Sequence, residues 1–163
     1  MRSKQMGFSL IELLVVVSVI LIVAAIAIPN LLRSRSAANE ASAVASVRSI
    51  NTSQVVYQST YGPGFAATLS ALSDGGAAAN CLPPTPATAT SACLLDSALA
   101  SGTKSGYTFT YAPSSGGGAV SSYTVNADPI TAGGSTRRHF FSDQTLAIRF
   151  NPAAPAGNAD PLI

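Results

Sequence analysis

Lys4-Gln5-Met6-Gly7-Phe8-Ser9-Leu10-Ile11-Glu12, running without a break into the apolar stretch 13–28, decides how this chain is read. A short basic leader ends in Gly7 and Phe8 follows. One carboxylate, Glu12, then stands in a segment otherwise apolar except for Ser9 and Ser18. No further charge appears before Arg33. A helix needs about 20 predominantly apolar residues to cross a bilayer, and residues 8–28 meet that length. Arg2 and Lys4 precede the segment, so the N-terminus stays cytoplasmic and the remainder is sent outward. Two plainer readings share these features. A secretory signal peptide has a basic start, an apolar core and a site such as Ala25-Ile26-Ala27, and an uncleaved anchor has the same hydropathy. Against the signal peptide stand a run longer than the usual core and the charge at Glu12, which is costly in lipid and marks function by default.

These residues resemble the processing and assembly signature of type IV pilins and of type II secretion pseudopilins. The resemblance implies a prepilin peptidase/methyltransferase that cuts between Gly7 and Phe8 and methylates the new N-terminus at Phe8. It also implies that Glu12 pairs with the Phe8 amine, of a neighbouring subunit or its own, when copies pack into a helical filament. The physical sense is clear. A carboxylate at mid-bilayer costs about 2.5–3.5 kcal/mol, and the cost falls when a cation is brought beside it. An unpaired charge in low dielectric stays expensive, so the pair would penalise a subunit out of register.

Pro29 read alone either kinks the helix or ends it. The resemblance favours a kink within a continuing helix, because members of the family carry a proline at this distance from the Phe. Many also have Gly eight residues before that proline, where this chain has Leu21. Residues 31–61 then form the amphipathic half of the helix, Ala-rich and free of Gly and Pro until Gly62-Pro63-Gly64. Val44, Val47, Ile50, Val55, Tyr57 and Tyr61 fall on one broad arc at helical spacing, diluted by Asn51, Gln54 and Gln58. Arg33, Arg35 and Arg48 read as a solvated basic face.

Beyond the helix, residues 62–150 are long enough for one small domain. Cys81 and Cys93 are the only cysteines, and outside the cytoplasm a disulfide is their default; a metal site is the rival and would need further ligands. Residues 91–101 suggest a short helix through Leu94, Leu95 and Leu99. From Gly106 the period changes to two. Tyr107, Phe109 and Tyr111 alternate with Thr108 and Thr110, which predicts a strand with an aromatic face. Residues 114–118 read as a turn, 122–127 as a second strand broken by Asp128-Pro129, and 138–141 and 145–150 as a hairpin turning on Ser142-Asp143-Gln144. Residues 151–163 read as a loose tail. The arc on the helix and the aromatic strand face would each cover the other.

No active site is advertised. His139 reads as a strand residue on the solvent side, without partners for a triad. The acids Asp74, Asp96, Asp128, Asp143 and Asp160 are scattered without metal-loop spacing, and Gly116-Gly117-Gly118 lacks the Lys and helix of a phosphate loop. Major pseudopilins bind calcium near their C-terminal strands, and Asp128 and Asp143 read as lying in roughly comparable loops, too few for a site. Without Arg2 and Lys4 the chain has seven basic and seven acidic side chains, which offers nucleic acid little attraction.

The expectation is therefore an α+β pilin fold, a long N-terminal helix packed on a small antiparallel sheet. Its parts are a leader 1–7, a transmembrane and filament-core half 8–30, the amphipathic half 31–61, a globular domain 62–150 and a tail 151–163. The expected product is a structural subunit and not an enzyme, with no cofactor and no metal. It would be single-pass in the inner membrane before assembly, and part of a periplasmic or extracellular filament after it. Its partners would be the peptidase, copies of itself, and the pilus or type II secretion assembly machinery, with no nucleic acid. The alternative is the major pseudopilin of a type II secretion system. Residues 140–149 resemble pseudopilin C-terminal strands, whereas the disulfide loop and neutral surface fit a pilin.

Overall fold

The long helix α1 (Leu10–Tyr61) contains Pro29 and continues through it, so the proline does not end the helix. The computed structural model describes residues 8–82, 85–130 and 137–163; the expected leader 1–7 and cleavage residue Gly7 lie outside them. The chain divides after Ala37 into two units, and α1 contributes to both. In the first unit every large apolar side chain of the helix is exposed.

The second unit is α+β. Its sheet has five antiparallel strands in the order β1 (Thr103–Lys104), β2 (Tyr107–Ser115), β3 (Val120–Pro129), β4 (His139–Asp143) and β5 (Ile148–Asn151). Alternation decides the faces. Tyr107 and Phe109 of β2, Tyr123, Val125 and Ala127 of β3, and Phe140 of β4 point inward and join Ala43, Val47 and Ile50 of α1 in one core. Thr108 and Thr110 point out. The cover expected between the helix arc and the aromatic strand face is thus present.

The buried stripe of α1 is rotated from the expected arc. Val55 is 45% exposed, while Asn51 and Gln54, expected only to dilute the arc, are buried. The sheet supplies their partners. Asn51 Nδ2 donates to Ser142 Oγ at 2.7 Å, and the Tyr123 hydroxyl donates to Asn51 Oδ1 at 3.0 Å. Gln54 Nε2 donates to the Tyr111 hydroxyl at 2.8 Å, and Gln54 Oε1 accepts from the Ala66 amide at 2.9 Å. A buried amide is costly alone and acceptable when its donors and acceptors are met.

Two prolines lie within strands, and at one of them, Pro129, a break was expected. Pro113 lies inside β2 opposite Tyr123, beyond the short reach of β1, so that edge is open. Pro129 ends β3 opposite Tyr107, past Ala127, where the pairing with β4 stops. A missing N–H costs nothing on an open edge. The β2–β3 turn therefore falls at residues 116–119. The last hairpin is shifted too: Ser142 is buried within β4, and Asp143 Oδ1 accepts from the Thr145 amide and hydroxyl to hold the turn.

Around the sheet, α2 (Leu69–Leu72) and α3 (Ser97–Ala100) are single turns capped by Thr68 and Asp96. Helix is confined to α3 in the stretch 91–101, because the Leu94 and Leu95 amides donate instead to the Leu72 carbonyl. Cys81 and Cys93 form a disulfide, with Cα atoms 5.6 Å apart. The C-terminal residues are not loose. The Phe150 amide donates to Pro161 O and the Ile163 amide to Ile148 O, which covers the outer edge of β5. The Asp160 carboxylate accepts from Gly157 N and Asn151 Nδ2, and Ala156 is buried.

Burial pushes the Tyr107 and Tyr111 hydroxyls up to about 12, with Glu40 adding to the shift at Tyr107. The Tyr123 hydroxyl is raised by burial as well. The folded chain thus holds protons that the unfolded chain, with tyrosines near 10, releases. The stability this contributes is complete below about pH 10 and is lost as pH rises through about 12. In an alkaline titration these three tyrosines should ionise together with loss of the circular-dichroism signal. Ionisation of all five tyrosines with the fold intact would contradict their burial. Gln54→Ala should cost about 1–3 kcal/mol in denaturant unfolding of the detergent-solubilised chain, because it strands buried polar groups. Val55→Ala should stay within about 0.5 kcal/mol.

Candidate functional site

The first unit carries the motif residues. Phe8 is 76% exposed, two residues before α1 begins, and the Leu13 amide donates to Ser9 O at 3.2 Å. Glu12 lies in the first turn of α1. Phe8 lies outside the helix, four residues before Glu12 in the sequence. Val15, Val16, Val19 and Val23 share the Glu12 side of the helix at 3.6 residues per turn. The opposite side is a shallow groove lined by Leu10, Leu13, Leu14, Val17, Ser18 and Leu21. The helix therefore has a β-branched face that includes the carboxylate and a leucine-rich face without it. Ser18 Oγ donates to Val15 O at 2.8 Å, so its hydroxyl is satisfied within the helix. By length and composition this helix can cross a membrane, and none of its apolar window is buried in the chain itself.

Glu12 differs from the other acids. Glu40 is buried and its Oε2 lies 3.0 Å from Arg138 Nε. Asp74 accepts from the Gly76 amide at 3.0 Å. Asp96 caps α3 and pairs with Lys104 at 2.9 Å, and the lysine hydrogen bond foremost holds its carboxyl below the usual range. Asp128 pairs with His139 Nδ1, Asp143 binds Thr145, and Asp160 binds Gly157. Glu12 has no hydrogen bond or ion pair among the described residues.

These pairings also revise the reading of several residues. His139 is a strand residue as expected, but it has a partner the sequence did not show: its side chain is 19% exposed and bonded to Asp128 across the β3–β4 pair. Asp128 and Asp143 lie in β3 and at the end of β4, not in loops, and each is engaged. No group of three or more His, Cys, Asp or Glu side chains is placed to hold a metal among the described residues. Arg33, Arg35 and Arg48 are exposed. The sequence reading missed the Glu40–Arg138 pair and the guanidinium of Arg138 over the Phe150 ring at 5.2 Å. Nothing local signals contacts between residues so far apart along the chain.

The model of the prokaryotic N-terminal methylation motif matches residues 2–28, and this motif is the type IV pilin and pseudopilin signature. No curated protein and no solved structure matches the chain. The motif supports a pilin-like or pseudopilin precursor, and the exposed apolar helix is consistent with its anchorage in a membrane. Val19→Lys should disturb that anchorage, since a second charge in the span costs about 2.5–3.5 kcal/mol on insertion scales. The expected result is a shift of the chain out of the alkali-resistant membrane fraction. Val55→Lys, on an exposed face of the second unit, should leave the fractionation unchanged.

Proposed function

We propose that this chain is the precursor of a structural subunit of a type IV pilus. It is cut between Gly7 and Phe8, methylated at the new Phe8 amine, and assembled through an ion pair between that amine and Glu12. The carrying observation is Glu12, an acid without a partner among the described residues, four residues after Phe8 in the sequence and exposed like the apolar side chains around it.

In the precursor the Phe8 nitrogen is an amide and carries no charge. Cleavage by the prepilin peptidase creates an ammonium there, and methylation preserves it. The pair then brings opposite charges together in surroundings of low dielectric, where an isolated carboxylate is costly. The apolar flanks add little directional preference, because lipid tails are as apolar as neighbouring helices; close packing and polar contacts choose the partner. Glu12 thus selects register, while the valine and leucine faces supply contact area. Pro29, which deprives the ladder of one N–H, is the place where the helix adjusts during assembly. The membrane holds the subunit before assembly and copies of the same chain surround it afterwards.

The major pseudopilin of a type II secretion system is the second reading, favoured by the resemblance of residues 140–149 to pseudopilin C-terminal strands. Electron microscopy of sheared surface fibres with mass spectrometry of their subunit separates the two. Long fibres built of this chain support the pilus. Their absence, with loss of protein secretion on deletion, supports the pseudopilus.

Replacing Gly7 with valine should block cleavage and leave Arg2 and Lys4 on the subunit, which intact-mass measurement reads directly. A normally trimmed variant would rule out the peptidase assignment. Glu12→Ala should still insert in the membrane yet give at least about tenfold fewer filaments, the ratio for about 1.4 kcal/mol per subunit addition. Wild-type filament yield from this variant would show the ion pair to be dispensable.

A further inference from the structure

We propose that the loop closed by Cys81 and Cys93 carries O-linked sugar, with Thr85 as the principal acceptor and Thr88 and Thr90 beside it. The inference rests on the reading of the chain as an exported filament subunit, which places this loop outside the cytoplasm.

Three observations converge on these residues. The first is composition. Thr85-Pro86-Ala87-Thr88-Ala89-Thr90 follows two further prolines, and no charged side chain occurs between Asp74 and Asp96. Threonine mixed with proline and small residues cannot build a core and characterises O-glycosylated segments. The second is presentation. All six residues from 85 to 90 are exposed, yet the loop is tied down. The disulfide closes it, the Cys93 amide donates to Ser73 O at 2.8 Å, and the Tyr57 hydroxyl donates to Ala89 O at 2.9 Å. Thr88 and Ser91 exchange amide bonds at 2.9 and 3.0 Å, so the turn between them is held outward.

The third is the chemistry of the hydroxyls. Thr85 donates its amide to Leu82 O at 3.0 Å, but its hydroxyl has no partner among the described residues. The following Pro86 disfavours helix at Thr85. Thr88 and Thr90 hydroxyls lie 3.2 Å apart and share one hydrogen bond, which makes them secondary acceptors. Ala87 and Ala89 leave room around all three. Ser114 and Ser121 near the β2–β3 turn are poorer candidates, since no proline follows either serine and the Ser121 hydroxyl is bonded to Ser114 O.

Threonine Oγ1 attacks the anomeric carbon of a diphosphate-linked sugar. The new C–O bond forms as the bond to diphosphate breaks, the diphosphate leaves, and the hydroxyl proton passes to a base of the glycosyltransferase. No oxidation or reduction is involved. The benefit is colloidal. A trimmed chain with equal numbers of acidic and basic side chains has little charge to keep its assemblies apart, and a hydrated sugar on a charge-free loop replaces that repulsion.

The test is intact-mass and electron-transfer fragmentation of the full chain purified from its native source. The expected mass exceeds that of the polypeptide by one or more sugar residues, located within residues 85–90. Replacing Thr85, Thr88 and Thr90 together by alanine should remove the excess with the disulfide still formed, and Thr85→Ser should retain it. A wild-type chain at bare polypeptide mass, or sugar found only outside residues 85–90, overturns the proposal. The same spectra report separately whether the leader has been removed before Phe8. Bare mass on a trimmed chain therefore counts against the sugar alone, whereas an untrimmed chain counts against the filament reading.

Discussion

Residues 10–32 of α1 show apolar side chains on all sides, whereas from Glu40 the same helix buries one face, and the rest of the molecule follows from that change of surroundings. The first stretch cannot be covered by its own chain and needs lipid or other copies. The second has only a modest apolar arc and cannot stand alone in water. It is stabilised by the sheet, whose inner face is equally unable to remain uncovered. Tyr107, Phe109, Tyr123 and Phe140 are the large side chains of that inner face, and Ala43 and Val47 on the helix are small enough to let them approach.

Polar groups set how that contact is aligned. Asn51 and Gln54 each engage two groups of the second unit, and Glu40 meets Arg138 at the other end of the buried face. Apolar contact alone tolerates a small rotation of the helix; unmet amides do not. This explains why the buried stripe includes Asn51 and Gln54 and leaves Val55 outside. The same economy governs the acids. Among the described residues every acid except Glu12 is held by a neighbour, and the exception lies in the exposed apolar stretch of α1.

Much of this was legible in the sequence, and the failures have a common cause. The span, the aromatic strand face and the Cys81–Cys93 bridge follow from local pattern, and the continuation of the helix past Pro29 from the family resemblance. The boundaries of strands at Pro113 and Pro129 did not, because proline is excluded only where a neighbouring strand needs its N–H, and strand order is not a local property. The tail 151–163 looked unstructured since it is rich in Pro, Ala and Asn. It is ordered because β5 presents an edge that Pro161 O and the Ile163 amide complete. His139 gave no sign of Asp128, which lies in the adjacent strand.

By itself, then, the sequence determined the long apolar helix, the change to strands after Gly106 and the N-terminal methylation motif. Hydrophobic period, the lone charge at Glu12 and the Gly7–Phe8 junction act within a few residues of one another. Only the tertiary structure decided which polar side chains are buried and by what they are met. Asn51 finds Ser142 and Glu40 finds Arg138 across 91 and 98 residues of chain. A hydrogen bond needs its partner within about 3 Å, and such proximity exists only after the sheet has formed.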